Sequence, residues 1–165
     1  MSADLDCLSD PAHADFLTSG VSISVASCGA DHIPNLTRGI GCDVSRDGPD
    51  LRVFVIAEQS RVLLDDLRSN RNVAVVFRQP GSHRTLQLKG HDASVESLVA
   101  GDARIIERYR GAFTAALAAL GFGGEFVRAL LGSGTGEVVA IRFTPTAVFP
   151  QTPGSGARRA PEGPR

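Results

Sequence analysis

The sequence predicts a mainly β domain with flanking helices, of the α+β class, in which an antiparallel β-barrel forms the core. Three features of the 165 residues carry that prediction. Short segments alternate apolar and polar residues, turn-forming pairs separate them, and two stretches follow a helical period instead. The length suits a single domain, taken as residues 1–150, followed by a Pro-, Gly- and Arg-rich stretch over 151–165 (QTPGSGARRAPEGPR) with nothing apolar to bury and expected to be disordered. A 42% hydrophobic and 21% charged composition is ordinary for a globular chain, and a formal net charge of −1 gives no general attraction to nucleic acid or to an anionic membrane. No apolar run approaches the roughly 18–20 residues a membrane span needs. The start, MSADLDCLSD, carries acids where a secretory leader carries basic then apolar residues, so a cytoplasmic location is expected.

The elements follow in order. Asp10, Pro11 and Gly20 bracket a short first helix as cap, first helical residue and terminator. In VSISVASC, Val21, Ile23 and Val25 alternate with Ser22, Ser24 and Ala26, which gives a strand with one core face and one face of small residues. The next strand, within PNLTRGIGCDV, sets Leu36, Arg38, Ile40, Cys42 and Val44 on one parity and Gly39 and Gly41 on the other. Glycine inside a strand marks a bulge or a close approach by a ligand, and an arginine in an apolar row wants an anion. Asp47-Gly48 turns the chain into the β-rich LRVFVIA. A helix beginning at Ser60 as N-cap, with Leu63 and Leu67 on one stripe, ends at Asn70. Strands over 72–78 and 84–96 pair around the Pro80-Gly81 turn. Residues 101–131 are helical in two pieces divided by Gly121, Gly123 and Gly124, and EVVAIRFTPTAVF is a last strand.

Few residues suggest chemistry. Cys7, Cys28 and Cys42 show no Cys-x-x-Cys spacing, and His13, His32, His83 and His91 form no pair at ligand spacing, so no metal site is expected. Gly132-Ser-Gly-Thr-Gly136 precedes a strand, whereas phosphate loops lie between a strand and the following helix, so it reads as a flexible connection. No serine sits in a Gly-x-Ser-x-Gly elbow. The strongest constellation is Gln59-Ser60-Arg61, at a helix start that follows directly on a strand. Unpaired N–H groups and the positive end of the helix dipole favour a phosphate there, with bonds from the Ser60 hydroxyl and the Arg61 guanidinium. A capping serine beside a solvated arginine is the plainer alternative. In a closed barrel Arg38 and Arg84 are two further arginines that can approach this helix start, although each also fits an ordinary surface role. Gln87, on the polar side of its strand with Thr85 and Lys89, can meet the edge of a heterocycle or simply face water.

From about Asp15 to Ser97 the order of elements resembles the FMN-binding split-barrel family that includes pyridoxamine 5'-phosphate oxidase. The stretch LRVFVIAEQSRVLLDDLRSNRNVAVVF followed by HRTLQLKG carries the resemblance. It implies an antiparallel split β-barrel of the FMN-binding type that holds FMN as cofactor. By this resemblance Ser60 and Arg61 hold the FMN phosphate, with Arg38 close to it. The strand of Arg38, Gly39, Ile40, Gly41 and Cys42 runs along the flavin, Ile56 and Ala57 lie beneath it, and Thr85 or Gln87 reaches the polar edge of the ring. A homodimer with flavins at its interface is also implied, acting on a small-molecule substrate or electron acceptor. Val62 and Asp43 stand where the family's oxidase has lysines, and its C-terminal Arg-x-His element has no counterpart. These departures point away from pyridoxamine 5'-phosphate as substrate. The expected function is an FMN-dependent oxidoreductase with no side chain assigned as proton donor. The alternatives are a non-catalytic flavin-binding or sensing module, or a haem- or deazaflavin-binding relative. The haem alternative would need His32, His83 or His91 as axial ligand.

Overall fold

The computed structural model describes residues 11–45, 48–132 and 136–154. Eight strands, β1 (Ser22–Cys28), β2 (Pro34–Val44), β3 (Leu51–Ile56), β4 (Val73–Arg78), β5 (Thr85–Gly90), β6 (Ser94–Ser97), β7 (Val138–Phe143) and β8 (Ala147–Pro150), form one antiparallel sheet in the order β6-β7-β3-β2-β1-β4-β5-β8. Helix α1 (Pro11–Thr18) precedes the sheet. Helix α2 (Arg61–Asn70) follows β3 through a single 3-10 turn over Glu58–Ser60. Helices α3 (Asp102–Ala118) and α4 (Gly124–Leu131) lie between β6 and β7. No helix among the described residues is long and apolar enough to cross a membrane.

The alternation in β1 has the consequence its period demands. Ile23 and Val25 are fully buried, Ser22, Ser24 and Ala26 are half-buried on the other side, and β1 lies between β2 and β4. The core around it holds Phe54, Phe77, Phe113 and Phe143, none of them more than 1% exposed.

Two segments expected to be single strands are each two. Residues 84–96 divide into β5 and β6, and the last strand divides into β7 and β8 at Thr144–Thr146. The members of each pair lie at opposite ends of the sheet, β5 against β8 and β6 against β7. The physical reason is a crossing. A Cβ on Gly90 would lie 2.6 Å from Phe143 Cδ2 and 2.9 Å from the Thr144 carbonyl oxygen, so only glycine lets the two backbones meet. The Thr144 N–H donates to Asp92 Oδ1 at 2.9 Å and the Thr146 N–H to the Lys89 carbonyl at 2.7 Å, fixing both bends. With its two ends brought together there, the sheet closes as a barrel.

The apolar row read along β2 is not one face. Pairing with β3 shifts between Gly39 and Cys42, the signature of a bulge, and Gly41 has φ +151°, a conformation nearly confined to glycine. Before the bulge Leu36 is 71% exposed; beyond it Cys42 is 3% exposed. A Cβ on Gly41 would touch Phe54 and the α3 residues Ile106 and Tyr109, so helix α3 occupies the space this glycine leaves.

Helix α3 is fastened by an ion pair. Arg52 on β3 donates from Nη1 and Nη2 to the two carboxylate oxygens of Asp102, both at 2.8 Å, and the Val99 N–H donates to Asp102 Oδ2. Further along the helix the Tyr109 hydroxyl donates to the Val21 carbonyl at 2.9 Å. The turn proposed at Asp47-Gly48 falls partly outside the described residues, but the Ser45 N–H reaches the Asp50 carbonyl across it at 3.0 Å.

Candidate functional site

At one end of the barrel β3 delivers the chain to α2. Ile56 is 6% exposed, and the Ala57 N–H donates to the Glu137 carbonyl at 2.8 Å, which carries the β3–β7 ladder one residue past the strand. The 3-10 turn follows, with the Ser60 N–H donating to the Ala57 carbonyl. The glycine connection is closer to Ile56 than a flexible linker need be: a Cβ on Gly132 or on Gly136 would lie 2.8 Å from an Ile56 side-chain carbon.

Ser60 does not cap α2 with its side chain as the sequence suggests. The 3-10 turn holds it at φ −111° and ψ 9°, outside the extended conformation that aims a capping oxygen at the first-turn N–H groups. Its hydroxyl, on a residue 2% exposed, instead shares a 2.8 Å hydrogen bond with Thr37 Oγ1 on β2. Arg61, the first residue of α2, is exposed and pairs with no described carboxylate. The helix is tied to the β1–β2 corner by Asp66, which accepts from Ser27 Oγ at 2.6 Å and Asn35 Nδ2 at 2.8 Å. Asn70 adds a bond from Nδ2 to the Cys28 carbonyl at 2.7 Å. These bonds fix where the helix start stands. A hydroxyl pair and a guanidinium without a described counter-ion at that start can receive a phosphate.

The remaining site residues are dispersed in the single chain. Thr37, not Arg38, is the β2 residue that touches Ser60; Arg38 is half-buried and donates to Ser22 Oγ at 3.1 Å. Gly39 faces Ile23 and Val53, where a Cβ would come within 2.6 Å and 3.1 Å of their side chains. Ile40 and Cys42 are core residues, and the Cys42 thiol donates to the Leu17 carbonyl at 3.1 Å. Burial, with the nearby Asp43 charge adding to it, pushes the Cys42 thiol up to about 12. Burial raises the Tyr109 phenol as well, with Cys42 adding and Arg38 opposing. Along Arg38–Cys42 only the backbone and the Arg38 side chain therefore have contacts to offer outside the core.

Arg84 has its guanidinium 4.3 Å above the ring of Phe16 in α1. Thr85 is 6% exposed and its hydroxyl donates to the His83 carbonyl, while Gln87 Oε1 accepts from Gln151 Nε2 at 2.9 Å. The Gln151 N–H also reaches the Thr85 carbonyl at 2.9 Å, and Thr152 Oγ1 accepts from the Thr85 N–H at 3.0 Å. The first residues after 150 thus continue the β5 edge; 155–165 lie outside the described residues.

Of the histidines considered as axial ligands, His32 lies between β1 and β2, His83 faces Arg78 with Nδ1, and His91 faces Asn72 with Nδ1. Each is exposed and each is on a different turn. Sequence reasoning missed Thr37, Asp66 and the Arg52–Asp102 pair. Thr37 had a signal in being one residue from Arg38 on the other parity. The other two act across more than thirty residues of chain and left none.

No protein-family model matches the chain, and no curated protein matches it. Solved structures do. An F420 reductase superposes with TM-score 0.53 at 17% identity, over 82% of this chain and 94% of that one. HupZ of Group A Streptococcus superposes with TM-score 0.51 at 14% identity, over 87% and 94%. A pyridoxamine 5'-phosphate oxidase-related, FMN-binding protein of Nostoc punctiforme matches more loosely, with TM-score 0.48 at 12% identity, over 83% and 78%. At such identities the likeness to the F420 reductase and to HupZ is one of fold, an antiparallel split β-barrel with flanking helices.

Proposed function

We propose, for a chain with this split-barrel fold, that it binds FMN and serves as a flavin-dependent oxidoreductase on a small molecule other than pyridoxamine 5'-phosphate. The observation that carries the reading is the start of α2, where the Ser60–Thr37 hydroxyl pair and the Arg61 guanidinium, which pairs with no described carboxylate, meet the positive end of a ten-residue helix. In this reading Ser60, Thr37 and Arg61 hold the phosphate, and Ile56 and Ala57 lie beneath the ring. The backbone of Arg38–Cys42 runs along the flavin, and Thr85, Gln87 and Arg84 are contributed by β5 and the turn before it. The bound flavin supplies the hydride and electron chemistry. The chain supplies the phosphate grip and a fixed surface for the ring.

A homodimer with flavin at its interface belongs to the same reading. The half-buried side of β1, lined by Ser22, Ser24 and Ala26, supports a second copy packing closely. A deazaflavin is the competing cofactor, favoured by the likeness in fold to an F420 reductase.

Arg61→Ala tests the reading. Loss of a charge-assisted bond to phosphate, about 1.5–3 kcal/mol, should weaken FMN binding at least tenfold in a fluorescence titration. Because Arg61 is exposed, the melting temperature should stay within a degree or two of the parent. Unchanged FMN affinity would put the phosphate elsewhere.

A further inference from the structure

Ile56 ends β3 and is held by contacts that the phosphate grip does not use. Both branches of its side chain meet glycines. A Cβ on Gly132 would lie 2.8 Å from Ile56 Cδ1, and one on Gly136 would lie 2.8 Å from Ile56 Cγ2, closer than side-chain carbons come. Gly132 follows the last residue of α4 and Gly136 stands two residues before β7, so the two ends of one connection reach the two branches of one isoleucine. The backbone is held from the same side: Ile56 pairs with Val138, and the Ala57 N–H donates to the Glu137 carbonyl at 2.8 Å.

The connection also reaches the helix start. Gln59 Nε2 lies 3.4 Å from the point a Gly132 Cβ would occupy, and Gln59 directly precedes Ser60, whose hydroxyl is bonded to Thr37. Buried Val127 and Leu131 fasten α4, so the connection leaves from a fixed helix end. The two glycines are needed on different grounds. Gly132 has φ +79° and ψ 157°, a conformation essentially confined to glycine. At Gly136 the obstacle is one atom: beyond its chain neighbours, and among the described residues, Ile56 Cγ2 is the only atom within 4 Å of an added Cβ. Carbon atoms settle at about 3.5–4.0 Å, so a methyl there makes Ile56 or the connection shift by roughly 0.7 Å or more.

We propose that Gly132 and Gly136 are positioning residues: by seating the α4–β7 connection against Ile56 and Gln59 they fix the height of the floor beneath the flavin ring relative to the phosphate grip. The seat stands on contacts within the chain; the role of Ile56 as ring floor rests on the flavin reading above.

The test uses the full chain as parent, Gly136→Ala, Ile56→Ala and the double variant. Each is titrated with FMN and with riboflavin by flavin fluorescence, and the visible absorption spectrum of each saturated protein is recorded. Gly136→Ala should weaken both flavins by the same factor, fivefold or more, and shift the absorption band of the bound flavin, whereas Arg61→Ala weakens FMN selectively. Ile56→Ala removes the atom that the new methyl strikes, so adding Gly136→Ala to it should change affinity and spectrum no further. A spectrum identical to the parent's, a loss confined to FMN, or an undiminished effect of Gly136→Ala in the Ile56→Ala background would overturn the positioning role. Urea unfolding of the same four proteins without flavin reads the seat separately. The destabilisation by Gly136→Ala should shrink by half or more once residue 56 is alanine, and additive effects would overturn the seat. If the parent binds no flavin, the ring-floor role falls with the flavin reading, and the urea cycle decides whether the seat stands.

Discussion

Replacing Asp102 by asparagine should cost the fold about 3 kcal/mol. The carboxylate is 2% exposed and accepts from three N–H groups, two of Arg52 and one of Val99, each at 2.8 Å. Asparagine offers one oxygen and turns an NH2 group towards the guanidinium in either orientation, so at least one bond is lost and Arg52 loses its counter-charge. Removing one partner of a buried pair costs about 3–5 kcal/mol. The Arg52 side chain keeps 16% exposure and has Glu96 at 3.7 Å, so part of its charge is still compensated and the lower end applies. In a domain of this size that is a fall in Tm of roughly 6–12 °C. The pH dependence has a definite sign. Burial alone would raise the Asp102 carboxyl, but the bonds from Arg52 and Val99 together outweigh it and hold the group below the usual carboxylate range. A carboxyl depressed in the folded state stabilises fully above its unfolded value, about 3.9, and loses that contribution as the pH falls through the folded value. Urea unfolding of parent and Asp102→Asn should therefore differ by about 3 kcal/mol at pH ~7 and by clearly less as the pH is taken down through about 4. A difference under about 1 kcal/mol at neutral pH, or one that does not narrow in acid, would refute the claim that this pair fastens α3.

Two further outcomes follow from packing. Gly90→Ala should destabilise by about 1–3 kcal/mol in the same urea assay, because its new methyl would press on Phe143 and on the Thr144 carbonyl where the barrel closes; a neutral effect would mean the crossing is looser than described. Cys42, buried and raised to about 12, should resist iodoacetamide in the native protein at about pH 8, while exposed Cys28 is alkylated, as read by peptide mass spectrometry. Equal labelling of the two would contradict the burial.

The sequence made the local elements plain where period and punctuation agreed. Val21, Ile23 and Val25 set β1, Leu63 and Leu67 set α2, and the glycines at 121, 123 and 124 separate α3 from α4. It failed where one long-range contact redirects the chain. Residues 84–96 keep a strand's composition throughout, and only the approach of Phe143 to Gly90, more than fifty residues away, explains why they make two strands at opposite ends of the sheet. The parity of β2 misled for a related reason, since the bulge at Gly41 answers to helix α3 and a single-strand pattern cannot reveal it. Within the candidate site, Ser60 and Arg61 were legible because a helix start is a local event. Thr37 was not, because its role depends on which strand passes beside that start.

The phosphate grip at the start of α2 is tested most directly by two ligands that differ only in that group. Purified protein should be titrated with FMN and with riboflavin, following flavin fluorescence. FMN should bind saturably and riboflavin more weakly by at least tenfold, the equivalent of about 1.4 kcal/mol. Equal affinity for the two flavins, or no binding of FMN, would contradict it.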